Sequence, residues 1–139
     1  MIGNDYKIIA VDFDNTLFET EYPAILRPIS PVIEMAKERR ARGDKLILWT
    51  CREGTELDAA VEACRAEGLE FDAVNDNLPE EKAKWGNNPR KVAADEYWDD
   101  KNVWYGFHKE GTYKFYEEDG NLNLDMNMER RVFCGGNKD

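Results

Sequence analysis

Two stretches of this chain, YKIIAV at 6–11 and KLILWT at 45–50, are apolar without alternation, and a helical pattern lies between them. A strand with one wet face alternates polar and apolar residues, whereas an unbroken apolar run belongs to a strand covered on both faces. The intervening stretch SPVIEMAKERRARGD predicts a helix with Ser30 as N-cap, Pro31 at its first position, an apolar series at Val32, Ile33 and Ala36, and Gly43 as its stop. EGTELDAAVEACRAEGL predicts a second helix, with Leu57, Val61 and Cys64 on one face and Gly68 at its end, and LEFDAV at 69–74 predicts a third strand. Strand, helix, strand, helix, strand in this order implies right-handed βαβ units and a parallel sheet. The expected fold class is α/β.

Residues 17–29, with Pro23 and Pro28, read as a linker, and 75–89 as a polar connection carrying a short helix at PEEKAKW. KVAADEYWDD at 91–100 predicts a fourth strand running into a second pair of aspartates. Asp119-Gly120 is a type I′ turn signal. Folding about it sets Phe115 opposite Leu124, Tyr113 opposite Met126 and Lys114 opposite Asp125, which predicts a C-terminal β-hairpin. The domain reading is therefore one α/β domain over 1–110, a hairpin over 111–130 and a flexible tail over 131–139.

Charge narrows the function classes. The chain has 139 residues and a formal charge of -10, and its longest basic block is KERRAR at 37–42, best read as an exposed helix side. Nucleic acid is a disfavoured partner, since a phosphate-backbone footprint needs a concentrated positive face. No run approaches the roughly 20 apolar residues of a membrane span, and the N-terminus lacks a secretory pattern, so the cytoplasm is the expected location. The three cysteines, Cys51, Cys64 and Cys134, have no zinc or disulfide spacing. Cys51 is expected to be a small buried hydrophobe.

The chemistry gathers at the expected strand ends. Asp12 and Asp14 follow the first strand, Thr50 the second, and Asp99 and Asp100 the last, with Lys91 just before it. In a parallel sheet these ends face one crevice. Converging carboxylates repel unless a cation lies among them, and oxygen-only ligands suit Mg²⁺. Beside such a cation a carboxylate can attack a phosphoryl group, and a second carboxyl can protonate the leaving oxygen and then deprotonate water. Thr50 and Lys91 would hold the phosphoryl oxygens. Arg52, two residues after Thr50, is a candidate for gripping a second anionic group on the substrate, or else for a helix-end salt bridge.

VDFDNTLF, LILWT, a lysine and YWDD, in this order, resemble the four motifs of the haloacid dehalogenase (HAD) superfamily, over roughly residues 6 to 100. The resemblance implies a Rossmann-like three-layer αβα sandwich, with Asp12 as nucleophile and Asp14 as general acid/base. It also implies Mg²⁺ held by Asp12, the backbone carbonyl of Asp14 and one of the terminal pair, with Asp100 favoured over Asp99. Lys91 lies closer to the acidic pair than is usual in the superfamily, which keeps Lys82 and Lys84 as alternatives. Neither 18–28 nor 75–89 is long enough for a cap domain.

Other readings weigh less. An EF-hand fails because Leu17 stands where glycine is required and Pro23 where the bidentate glutamate should be. A phospho-receiver domain needs a phosphoacceptor aspartate on a middle strand, and WTCRE offers none. Asp95 reads as a surface or strand-edge residue, His108 as structural or exposed, and Trp98, Trp104, Tyr105 and Phe107 as packing against the sheet edge. The expected function is Mg²⁺-dependent hydrolysis of a phosphomonoester through an aspartyl-phosphate, with a small phosphorylated substrate as partner. The alternative is a silent HAD-like Mg²⁺-binding module that meets a partner through its hairpin, whose edges also leave self-association open.

Overall fold

The computed structural model describes residues 5–103, 115–116 and 122–123. The chain divides into two compact units, Met1–Asp100 and Lys101–Asp139. In the first unit the elements run β1 (Ile8–Val11), β2 (Phe18–Glu21), β3 (Ala24–Pro28), α1 (Ser30–Ala41), β4 (Lys45–Leu48), α2 (Gly54–Ala66), β5 (Ala73–Val74), α3 (Pro79–Trp85) and β6 (Glu96–Trp98).

Four of these strands form a sheet in the order β5-β4-β1-β6, with every pairing parallel. The unbroken apolar runs are explained by two separate buried clusters. Ile9, Val11, Leu46 and Leu48 pack with Ile33 and Ala36 of α1 and with Ala60 and Cys64 of α2. Ile8, Ala10 and Ile47 pack with Leu78 and Val92 in the other cluster. Successive side chains of a strand point to opposite faces, so both faces of β1 and β4 are covered.

Three boundaries differ from the sequence reading, each for a visible reason. Residues 17–29 are not a linker: β2 and β3 pair antiparallel across a turn at Tyr22-Pro23, with Phe18 opposite Pro28. Pro28 is tolerated because it sits at the end of an edge strand. The strand expected at 69–74 is only Ala73–Val74, because the Asp72 carboxylate accepts the Leu46 N–H at 2.9 Å where a ladder carbonyl would otherwise stand. Likewise β6 starts at Glu96 because Asp95 receives the Ile8 N–H on its carboxylate at 2.8 Å and donates its own N–H to the Ile8 carbonyl at 2.7 Å. Helix α1 begins at Ser30, with Ile29 rather than Ser30 in the cap position and Pro31 in its first turn. Gly43, at φ +102°, takes the left-handed conformation that ends it.

In the second unit, β7 (Phe115–Tyr116) pairs antiparallel with β8 (Leu122–Asn123). Phe115 lies opposite Asn123 and Tyr116 opposite Leu122, one position off the register expected from the turn signal. The expected turn at Asp119-Gly120, the pairs involving Tyr113, Lys114, Leu124, Asp125 and Met126, His108, Trp104, Tyr105, Phe107, Cys134 and the tail 131–139 lie outside the described residues. Among the described residues no helix is long and apolar enough to cross a membrane.

Candidate active site

The crossovers from β1 to β4 and from β4 to β5 build the sheet to one side, and the connection through α3 returns the chain to β6 on the other side of β1. The direction of winding therefore reverses between β1 and β6, and ligands of open parallel sheets bind outside the carboxyl ends at such a point. Asp12 leaves β1 there and donates its N–H to the Trp98 carbonyl at 2.9 Å. The next residues form one tight turn. The Phe13 carbonyl accepts the N–H groups of Thr16, Leu17 and Phe18 at 3.2, 3.0 and 3.2 Å, and Asn15 takes φ +61°. Phe13 and Leu17, both fully buried, anchor that turn in the core.

This geometry brings Asp12, Asp99 and Asp100 together, each with a carboxylate oxygen within 4.8 Å of the others. Burial first, and the Asp99 charge second, push the Asp12 carboxyl up to about 7. Thr16 lies under the group: its hydroxyl donates to Asp12 Oδ2 at 3.4 Å and accepts the Asp100 N–H at 2.9 Å. A cleft of about 350 Å³ borders Asp99 and Asp100, with Asn15, Thr16, Ile29, Val32, Met35 and Trp98 as its other walls.

Asp14 goes elsewhere. Both of its carboxylate oxygens are held by Arg52, from Nε at 3.0 Å and from Nη2 at 2.8 Å, and the guanidinium keeps its carboxyl below the usual carboxylate range. Of the two readings offered for Arg52, substrate contact or helix-end salt bridge, its contacts match the second. The side chain is 1% exposed, and each of its three nitrogens donates to a protein acceptor. Cys51, expected to be buried, is exposed.

Thr50 follows β4, and the Trp49 N–H bonds the Val11 carbonyl at 2.8 Å, so the Thr50 loop runs beside Asp12. Asn75 pins that loop: its Oδ1 accepts the Thr50 N–H at 2.8 Å and its Nδ2 donates to the Arg52 carbonyl at 3.3 Å. The Thr50 hydroxyl accepts the Arg52 N–H at 3.1 Å and keeps its own proton to donate. The sequence reading missed Asn75 and Thr16. Their signals were an Asn just after the third strand and the Thr of DFDNT.

The three lysines separate. Lys82 is paired with Asp76 at 2.7 Å. Lys84 lines a cavity with Asp5, Lys7 and Asp95, at the amino ends of the strands. Lys91 is exposed on the segment that runs from Asn77, beyond the end of β5, down to Asp95. Its ammonium lies 5.2 Å from the centre of the Tyr97 ring, with no carboxylate partner among the described residues.

Fold and site together define an α/β protein whose parallel sheet presents an acidic triad at its switch point. A solved structure of a conserved protein from Bacteroides thetaiotaomicron is similar to it, at 46% sequence identity and a TM-score of 0.63, covering 71% of this chain and 79% of that one. The chain belongs to the same family as that protein. No protein-family model matches the chain, and no curated protein matches it.

Proposed function

We propose that the protein is a Mg²⁺-dependent phosphohydrolase of the HAD type, acting on a phosphomonoester through a covalent aspartyl-phosphate. The observation that carries this reading is the convergence of Asp12, Asp99 and Asp100 at the switch point, with Thr50 on the neighbouring strand end. The packing of α1 and α2 against one strand cluster and of Leu78, just before α3, against the other supports the three-layer HAD arrangement.

The donor set fits Mg²⁺. Three carboxylates within 4.8 Å, one of them raised toward neutrality, form a group whose mutual repulsion a hard divalent cation relieves. Asp12, Asp99 and Asp100 would hold it, with the backbone carbonyl of Asp14. When bound, Mg²⁺ neutralises phosphoryl charge and favours the ionised form of Asp12.

The chain's own groups do the rest. An Asp12 carboxylate oxygen attacks phosphorus and the bond to the leaving oxygen breaks. Asp14 is the proposed general acid/base, a role that requires it to leave the Arg52 grip that holds it ionised. The Thr50 hydroxyl and the Lys91 ammonium hold the equatorial oxygens. Lys91 suits this role better than Lys82, whose charge is spent on Asp76. Turnover of 4-nitrophenyl phosphate with and without Mg²⁺, in the wild type and in Asp12→Asn, tests the reading. The expected loss in the variant is at least about a thousandfold with the fold intact. Undiminished activity would remove Asp12 as nucleophile.

A further inference from the structure

The cleft beside the acidic triad is walled largely by carbon. Ile29, Val32 and Met35 line it from the start of α1, and Trp98 lines it from the end of β6. Their spacing of three sets the α1 residues in one row along the helix, beside the core row of Ile33 and Ala36. Val32 and Trp98 are only partly covered by the core, and Met35 is 49% exposed and belongs to neither buried cluster. Helix α1 thus carries a second apolar row that the described core does not bury. The Trp98 indole N–H donates to Glu96 Oε1 at 3.0 Å, which leaves its ring only carbon to offer. Among the polar walls, the Thr16 hydroxyl is spent between Asp12 and the Asp100 N–H, and Asn15 Oδ1 accepts the Thr20 N–H at 3.1 Å. Among the described residues no Lys, Arg or His lines the cleft.

We infer that this cleft takes the leaving group of the substrate, and that the substrate is a phosphomonoester of an uncharged aromatic alcohol or phenol, a single ring or a fused pair in size. This rests on the phosphohydrolase reading. Asp99 and Asp100 belong both to the triad and to the cleft wall, so a phosphoryl group held at the triad stands at the edge of the cleft. A leaving group with a second phosphate or a carboxylate would meet Asp99 and Asp100 there with no cationic side chain in the wall to pair with. A sugar would set its hydroxyls against Ile29, Val32 and Met35, which neither donate nor accept hydrogen bonds. A volume of about 350 Å³ lies at the small end of the roughly 300–1,000 Å³ of small-molecule sites, which suits one or two rings. The Met35 thioether and the Trp98 indole are both groups that pack favourably on an aromatic ring.

Non-hydrolysable phosphonates separate binding from turnover. In titration calorimetry with Mg²⁺ present, 2-naphthylmethylphosphonate should bind about tenfold more tightly than ethylphosphonate, and Met35→Ala should cut that ratio by about threefold. Met35→Lys sets a cation in the wall at an exposed helix position. It should cut the ratio as well, and should raise affinity for 4-carboxybenzylphosphonate over benzylphosphonate by about threefold, a gain that misfolding cannot produce. In turnover, kcat/KM for 2-naphthyl phosphate should exceed that for phenyl phosphate, two esters with leaving groups close in acidity, by about tenfold and chiefly through KM. Equal affinities for the ethyl and naphthylmethyl compounds, or ratios unchanged in both Met35 variants, would overturn the inference, and turnover of phenyl phosphate would then leave the phosphohydrolase reading standing. Binding that depends on Met35 without turnover of any phosphomonoester would overturn the phosphohydrolase reading, and the substrate assignment with it.

Discussion

The backbone N–H of Asp100 donates to the side-chain oxygen of Thr16 at 2.9 Å, and the same hydroxyl reaches Asp12 Oδ2 at 3.4 Å. One buried oxygen thus joins the loop after β1 to the loop after β6, the two chain segments that supply the acidic triad. Groups that orient metal ligands without touching the metal are commonly worth about tenfold to a hundredfold in affinity. Thr16→Val keeps the shape and removes the hydroxyl, and is expected to weaken Mg²⁺ binding by about tenfold. Thr16→Ser should restore most of it. Titration calorimetry on the three proteins checks this, and equal affinities would mean that the loops hold their positions without the bridge.

On the proposed reading, Asp12 would tie Mg²⁺ binding to pH. Its folded-state carboxyl is raised from 3.8 to about 7, so the folded protein without metal binds a proton that the unfolded chain has lost. Stability from this group is complete below pH 3.8 and is lost as pH rises toward 7. A Mg²⁺ ion held there would take the ionised form, so its apparent affinity should fall by about tenfold for each pH unit below that value. The rise in melting temperature on adding Mg²⁺ should be large at pH 8 and nearly absent at pH 5. An equal rise at both would place the cation away from Asp12.

The sheet was legible because β1 and β4 are covered on both faces, which leaves an apolar run no other reading. The strand ends were legible for the same reason: once the strands are parallel, Asp12, Thr50 and Asp99 must share an edge. The hairpin β2–β3 was hidden because Pro23 in its turn and Pro28 at the end of β3 read as breakers, and its short strands alternate too weakly to overrule them. Strand lengths were hidden because Asp44, Asp72 and Asp95 look like loop residues in sequence. Each accepts a backbone N–H from a neighbouring segment, those of Lys7, Leu46 and Ile8. For Arg52 the sequence offered a salt bridge but could not name Asp14 as its partner. The tight turn after Asp12, closed on the Phe13 carbonyl, has no signature beyond Asn15.

Lys91 and Lys82 make opposite predictions. Lys82 is neutralised by Asp76, while among the described residues Lys91 has the Tyr97 ring beside it and no carboxylate partner. A ring contact at an exposed site holds a cation by only about 0.5–1 kcal/mol, so the ammonium is readily drawn onto a phosphoryl oxygen. Lys91→Ala should lower kcat/KM for aryl phosphate by about a hundredfold, and Lys82→Ala should stay within about threefold of wild type. The reverse pattern in steady-state kinetics would transfer the role to Lys82.

Away from the site, Arg39 joins α1 to two strands. It donates in two-point fashion to Glu96 of β6, at 2.9 Å from both terminal nitrogens, and from Nε to Asp44, just before β4, at 2.8 Å. Arg39 holds the Glu96 carboxyl below its usual range, and the Lys7 N–H with Arg39 does the same for Asp44. Stability from carboxylates depressed in this way is present above the unfolded-state values and is lost as pH falls through the folded ones. Arg39→Met keeps most of the packing volume and leaves two partly buried carboxylates without their shared cation. It is expected to destabilise the protein by about 2 kcal/mol at pH 7. As pH falls through the folded-state values of both carboxyls, the difference from wild type should shrink toward zero. Urea unfolding of both proteins across that range checks it, and a gap independent of pH would mean that Arg39 contributes by packing alone.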